Sequence, residues 1–408
     1  MTEASPESSE ASIAPRRRSK RQLVLPPGAA GIIQAIAAER ILHQMMADQL
    51  FLYPSRPLES AALERLMHDF PQLCRTTYEF AFGQKGQCRL VSYHPLHVIL
   101  RFQPPWSLVH VILQAFPEAL NVRDASGIAP IHIACKFHAH IQVLEGLNAW
   151  HAGIMGTRAS ASRWLPLHFV CASKRKMGTI EKIQSTQQTN TGHDESDVDC
   201  GILRVLQLFP KAASTPEALN GSFPVHLAIA AGHSMTVIQA LFEAGGSEVS
   251  SMTDRHGRNP LHYACRYGAP LSVVEYLVEH DVKSNNSISP VILTQTHTGY
   301  TALHLAAAFS TVAVLQYVLD SIACTFDSSD TNSLSAALVH APTGCTLLHL
   351  AVQRDNDCSM IQYLAERFPH CLMAKESVRE HTPLHTAAAV APKLVPLLNE
   401  LKLKSIAT

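Results

Sequence analysis

Apolar residues in this chain recur in short helical bursts punctuated by turn residues, not in long uninterrupted runs. The clearest burst is DRHGRNPLHYACRYG, residues 254–268. Asp254 and Gly257 supply turn chemistry, and Pro260 suits a first helical turn, where no amide donor is needed. Leu261, Tyr263 and Ala264 then open an apolar face, with small Ala264 allowing a neighbouring helix to approach. The pattern returns around eight histidines: His97, His132, His168, His226, His262, His304, His349 and His385. An apolar residue precedes each one (Leu96, Ile131, Leu167, Val225, Leu261, Leu303, Leu348 and Leu384). Pro stands two residues before the histidine in six of eight units, Ala302 and Leu347 being the exceptions. Two residues after it is Ala in six of eight, the exceptions being Ile99 and Val170. The same helix start is therefore predicted in every unit.

A second helix follows in each unit, with stripes such as Val237, Ile238, Leu241, Phe242 and Val314, Leu315, Val318, Leu319. Phe116-Pro117, Gly245-Gly246 and Phe368-Pro369 each begin nineteen residues after their histidine. Phe70-Pro71 and Phe209-Pro210 repeat the punctuation. A Pro after an aromatic stops the outer helix, as a Gly would. Burying each large side chain is worth about 1.5–3 kcal/mol. One isolated unit cannot bury them, so stability must come from stacking.

The stretch at 254–268 resembles the ankyrin repeat motif, D-x-x-G-x-T-P-L-H-x-A, with Asn259 in place of Thr. The resemblance implies an all-α repeat solenoid of about eight stacked helix-turn-helix repeats with β-turn fingers, over residues 94–404. It also implies that the repeat histidines hold each turn to neighbouring backbone. Length variation falls mostly in the fingers, as in 281–297 and 325–343. One insertion, 174–199, instead separates the inner and outer helices of one repeat; its polar, charge-segregated composition predicts an exposed mobile loop.

Before the array, residues 1–28 are Ser-, Glu- and Pro-rich and then basic, which predicts a disordered tail. Residues 29–93 are expected to form an N-terminal helical cap, with Ile32, Ile33, Ile36, Ile41 and Met45 at helical spacing on its first helix. Two strand-like runs across 76–93 predict a β-hairpin.

Composition narrows the function. Lys plus Arg and Asp plus Glu both number 33, so no global field favours nucleic acid or an anionic membrane. Nucleic acid is an unlikely partner, except through RRRSKR at 16–21, which is also a candidate import signal. No apolar run reaches the roughly 20 residues of a membrane span. The stretch MTEASPESSEASIAPRRRSKRQ lacks the apolar core expected of a secretory signal, and ten cysteines without a C-x-x-C pair fit reduced structural thiols. The expectation is a monomeric protein of the cytoplasm, the nucleus or both. No H-E-x-x-H, G-x-S-x-G or phosphate-loop pattern occurs, so neither metal, cofactor nor catalysis is expected.

In ankyrin proteins the variable recognition positions lie seven, six and four residues before the histidine, and four and five after it. Carried onto this sequence, those forty positions hold seven Lys or Arg, seven aromatics and no Asp or Glu. The basic and aromatic residues are Tyr93, Arg101, Phe102, Lys136, Phe137, Trp164, Arg255, Arg258, Arg266, Tyr267, Tyr300, Phe309, Arg354 and Arg379. Arg and aromatics dominate binding hot spots, and Arg forks onto carboxylate or phosphate. The expected function is a non-catalytic interaction module gripping an acidic or phosphorylated protein segment on a concave face. A nuclear regulator using the basic tail, or a scaffold without acidic preference, are the alternatives. Charge reversal at Arg258 and Arg266 is expected to abolish capture and leave the melt unchanged.

Overall fold

The computed structural model describes residues 29–49, 58–82, 89–160, 162–173, 195–285, 290–323, 338–340, 342–354 and 357–407. RRRSKR at 16–21, the insertion as far as 194, the hairpin tip and parts of two fingers lie outside the described residues.

The N-terminal part contains α1 (Ala29–Ala47) and α2 (Ser60–Asp69), then antiparallel β1 (Tyr78–Phe82) and β2 (Arg89–Tyr93). Tyr78 pairs with Tyr93 and Phe82 with Arg89, which forms the expected hairpin. The buried stripe of α1 is Ala38, Leu42 and Met46, whereas Ile36 and Ile41 are exposed. Ile36 and Ile41 thus lie off the buried stripe, while Met45 packs half-buried against the core. After α2, the Phe70 amide closes the helix onto the Leu66 carbonyl at 3.0 Å, and Pro71 opens a short 3-10 turn. Phe116-Pro117, Phe209-Pro210 and Phe368-Pro369 end α-helices in the same way.

Two rows of helices follow. The inner row carries the motif histidines: α3 (Pro95–Ile99), α5 (Pro130–Lys136), α7 (Pro166–Ala172), α9 (Pro224–Ala231), α11 (Pro260–Arg266), α14 (Ala302–Phe309), α16 (Leu347–Gln353) and α18 (Pro383–Val390), each packed on the next. These helices are short because each begins at a fixed N-cap and soon reaches a turn. Where Pro is absent from the first turn, the Thr301 and Thr346 hydroxyls accept from the amides of His304 and His349.

The outer row comprises α4 (Trp106–Ala115), α6 (Ile141–Trp150), α8 (Glu195–Leu208), α10 (Met235–Gly245), α12 (Leu271–Asn285), α15 (Val312–Ala323), α17 (Cys358–Arg367) and α19 (Val395–Ala407). A short α13 (Pro290–Leu293) precedes α14. Two sequence expectations change here. The insertion ends in helix, since α8 already starts at Glu195, and much of the presumed finger at 281–297 is helical, in α12 and α13. One apolar core runs between the rows from Ala38 to Leu401, with Phe242 among its largest fully buried side chains.

Candidate functional site: the finger and inner-helix face

The repeat histidines fix the frame on which this face is built. The amides of Ala129, Leu165, Phe223, Asn259, Thr301, Thr346 and Thr382 each donate to Nδ1 of the histidine three residues on, at 3.1–3.3 Å. Nε2 donates onward to the next unit's backbone: His97 to the Ile128 carbonyl, His132 to Thr157, His168 to Thr215, His262 to Tyr300 and His349 to His381, at 2.9–3.3 Å. This network requires a neutral ring with the proton on Nε2. Burial depresses the imidazoles accordingly, to about 4 at His97, His168, His262 and His304 and about 3 at His226. His385 is the exposed member of the set.

The fingers are tied to each other through backbone. The Arg255 amide donates to the Asn220 carbonyl at 2.8 Å, and the His297 amide to the His256 carbonyl at 2.9 Å. Gly257, at φ +74°, closes this finger; a Cβ there would lie 3.1 Å from the His297 amide nitrogen. Asp254 organises the turn, its Oδ1 accepting from the amides of His256 and Arg258 at 2.8 and 2.9 Å. Its Oδ2 takes the Arg258 guanidinium at 2.8 Å and the Tyr263 hydroxyl at 3.0 Å. Burial pushes the Asp254 carboxyl up, but those amides, the guanidinium and the phenol together hold it below its ordinary value.

This cluster corrects one expectation. Arg258 is not a free cation on the recognition face; it neutralises a carboxylate with no exposed surface. Charge reversal at Arg258 would therefore disturb folding, so an unchanged melt is not expected. Trp164 is likewise committed: half-buried, it donates Nε1–H to the buried Glu217 at 3.2 Å and packs edge-on to Phe169. The position four residues before each histidine turns inward between fingers. It is buried at Ser222 and Cys345 and half-buried at Ile128, Tyr300 and His381. Part of the missing acidity at these positions thus reflects burial.

The remaining predicted residues gather into two groups. Near the N-terminal end, the Arg101 guanidinium lies 4.6 Å from the Tyr93 ring centre and 5.9 Å from that of Phe137, with Lys136 Nζ also 5.9 Å from Phe137. Phe102 is half-buried beside them, packed on the core. Further along, Arg266 and Arg354 approach the same ring, Phe309, at 5.4 and 5.1 Å. Together with Tyr300, Arg258 and His256 they line a cavity of about 220 Å³. Its floor is apolar, from Leu305, Ala308 and Leu350, and its lining contains no acidic residue. The Tyr300 ring is held from behind by His340, stacked at 4.0 Å. Tyr267 and Arg255 are exposed but stand apart: Tyr267 stacks on Tyr263, and Arg255 donates to the Leu219 carbonyl at 3.1 Å. Arg379 is exposed on the last finger and lies outside the cavity.

Sequence reading placed Asp254 in the turn but missed its pairing with Arg258 and Tyr263, and missed Glu217 as the partner of Trp164. The i,i+4 spacing of Asp254 and Arg258 was the signal that could have revealed the pair. Among the described residues no three His, Cys, Asp or Glu side chains converge on a common point, and no helix is long and apolar enough to cross a membrane. The described cysteines are free thiols.

Stacked helix pairs, histidine clamps and backbone-linked fingers define a helical repeat solenoid. Residues 199–288 and 225–330 match the family described as ankyrin repeats (3 copies), so this part of the chain carries ankyrin repeats. Mouse Rabankyrin-5 is 22% identical over 324 residues, covering 64% of this chain and 26% of that protein. The human transient receptor potential cation channel subfamily A member 1 is 34% identical over 117 residues, covering 28% of this chain and 8% of the channel. The chain therefore spans only a minor part of these relatives. A solved complex of the Bd0816 predatory endopeptidase from Bdellovibrio bacteriovorus with immunity protein Bd3460 overlays with a TM-score of 0.41 at 13% identity, covering 57% of this chain and 97% of that one. Ankyrin repeats generally mediate protein–protein interaction, and the family is generally non-catalytic.

Proposed function

We propose that this chain, read as eight ankyrin units, is an interaction scaffold that holds an acidic segment of a partner protein against its inner-helix face. One observation carries the reading. Arg266 and Arg354, on different repeats, sit over one phenylalanine in a cavity whose lining holds no carboxylate. Both side chains are exposed, and neither is in an ion pair with a carboxylate among the described residues. A cation resting on an aromatic ring keeps its N–H donors for an incoming anion. The apolar floor supplies the burial that a purely electrostatic patch lacks.

The test is binding of an immobilised, degenerate acidic peptide library to the wild type and to the Arg266→Glu/Arg354→Glu double variant. Capture that is lost in the variant, with an unchanged melt, supports the reading. Equal capture by both proteins refutes it.

A further inference from the structure

The Arg266–Phe309–Arg354 cavity carries more positive charge than one carboxylate neutralises. A carboxylate offers two oxygens, and a single guanidinium forks onto both. Here a second guanidinium approaches the same ring from another repeat: Arg266 ends α11, Arg354 caps α16, and Phe309 ends α14 between them. The third arginine at the rim, Arg258, is already neutralised by Asp254 and adds little net charge. Two uncompensated positive charges therefore face one small cavity, with Gln353 as a further polar group in its lining. The site has a fixed base: Ala308, Leu350 and Cys345 form a buried cluster on which Tyr300 and Phe309 rest. An occupant matching this arrangement carries close to two negative charges on one group. A group with three terminal oxygens lets each guanidinium fork onto it without sharing both acceptors. It must also be small enough for about 220 Å³. A phosphomonoester meets these conditions, with a charge of about −1.5 to −2 and three terminal oxygens.

We infer that this cavity is a phosphoresidue-reading site, taking the phosphoryl group of a phosphoserine or phosphothreonine in the partner segment. The inference rests on the proposed acidic-segment reading and deepens it: phosphorylation of the partner switches binding on. Both guanidiniums engage the phosphoryl oxygens, and the residues flanking the phosphoresidue lie along the fingers.

The experiment compares four degenerate peptide libraries that differ at one fixed central residue: phosphoserine, the methyl diester of phosphoserine, glutamate and serine. Affinity is read by fluorescence anisotropy on the full chain. The phosphoserine library should bind about tenfold or more tighter than the glutamate and diester libraries, each of which offers a single charge. Arg266→Ala and Arg354→Ala should each remove that margin, while Arg379→Ala, outside the cavity, should keep it. Equal binding of phosphoserine and glutamate libraries overturns the phosphoresidue reading and leaves the acidic-segment reading standing. No binding of either, with the melt intact, overturns both. Binding of vesicles containing phosphatidylinositol monophosphate without binding of the phosphoserine library also overturns the inference, because it assigns the cavity to a lipid headgroup.

Discussion

Acidification is the perturbation to which this fold should be most sensitive. Five repeat histidines are held neutral by burial, at about 4 for His97, His168, His262 and His304 and about 3 for His226. In the unfolded chain a histidine titrates near 6.5. Below that pH the unfolded state binds protons that the folded state refuses, so stability falls as pH falls. The loss begins near 6.5 and is complete only below the folded values. Between pH 7 and pH 5 each ring removes about 2 kcal/mol, and the five together remove about 10 kcal/mol. That is comparable to the whole stability of an ordinary domain. Geometry agrees with the sign. Protonating Nδ1 would set an N–H against the backbone amide that donates to it, as at Ala129 and His132. The assay is urea unfolding followed by circular dichroism at half-unit steps from pH 7.5 to 4.5. At pH 5 about one proton per buried histidine should be taken up on unfolding, and His262→Gln should lower that uptake by about one. A midpoint independent of pH across this range would refute the reasoning.

Other consequences are more local. Arg258→Ala leaves the buried Asp254 with its amide and Tyr263 bonds but no cation, and should cost about 1–3 kcal/mol in a urea melt. An unchanged midpoint would show that the pair is not structural. Gly257→Ala places a Cβ in left-handed backbone against the neighbouring finger, so a loss of about 1–3 kcal/mol is expected, with finger amides near His297 exchanging faster. Binding of acidic peptides should weaken steeply from 50 to 300 mM salt, because the arginines that meet them are exposed.

Much of the frame was legible because backbone chemistry dictates it. Each histidine from His132 to His385 accepts from the amide three residues earlier, so the residues immediately around it hardly vary. The outer stripes, such as Val237, Ile238, Leu241 and Phe242, follow from helical period and are buried as expected. The face was legible as a set of positions but not as an arrangement. That Arg266 and Arg354 share Phe309 depends on how three repeats stack, which no local spacing encodes. Arg258 looked like a free cation because its partner, Asp254, had already been assigned to turn formation. In α1, Ile36 and Ile41 satisfied helical period as well as Ala38, Leu42 and Met46 did, and packing on the rest of the N-terminal part chose between them.

The most direct test of the recognition face is a hydrogen-exchange footprint of the full chain with a saturating acidic or phosphoserine peptide library. The account predicts slower exchange confined to the fingers and to the inner-helix ends at Arg266, Phe309 and Arg354. Protection on the outer helices, for example along α10 or α15, with none around Phe309, would contradict it.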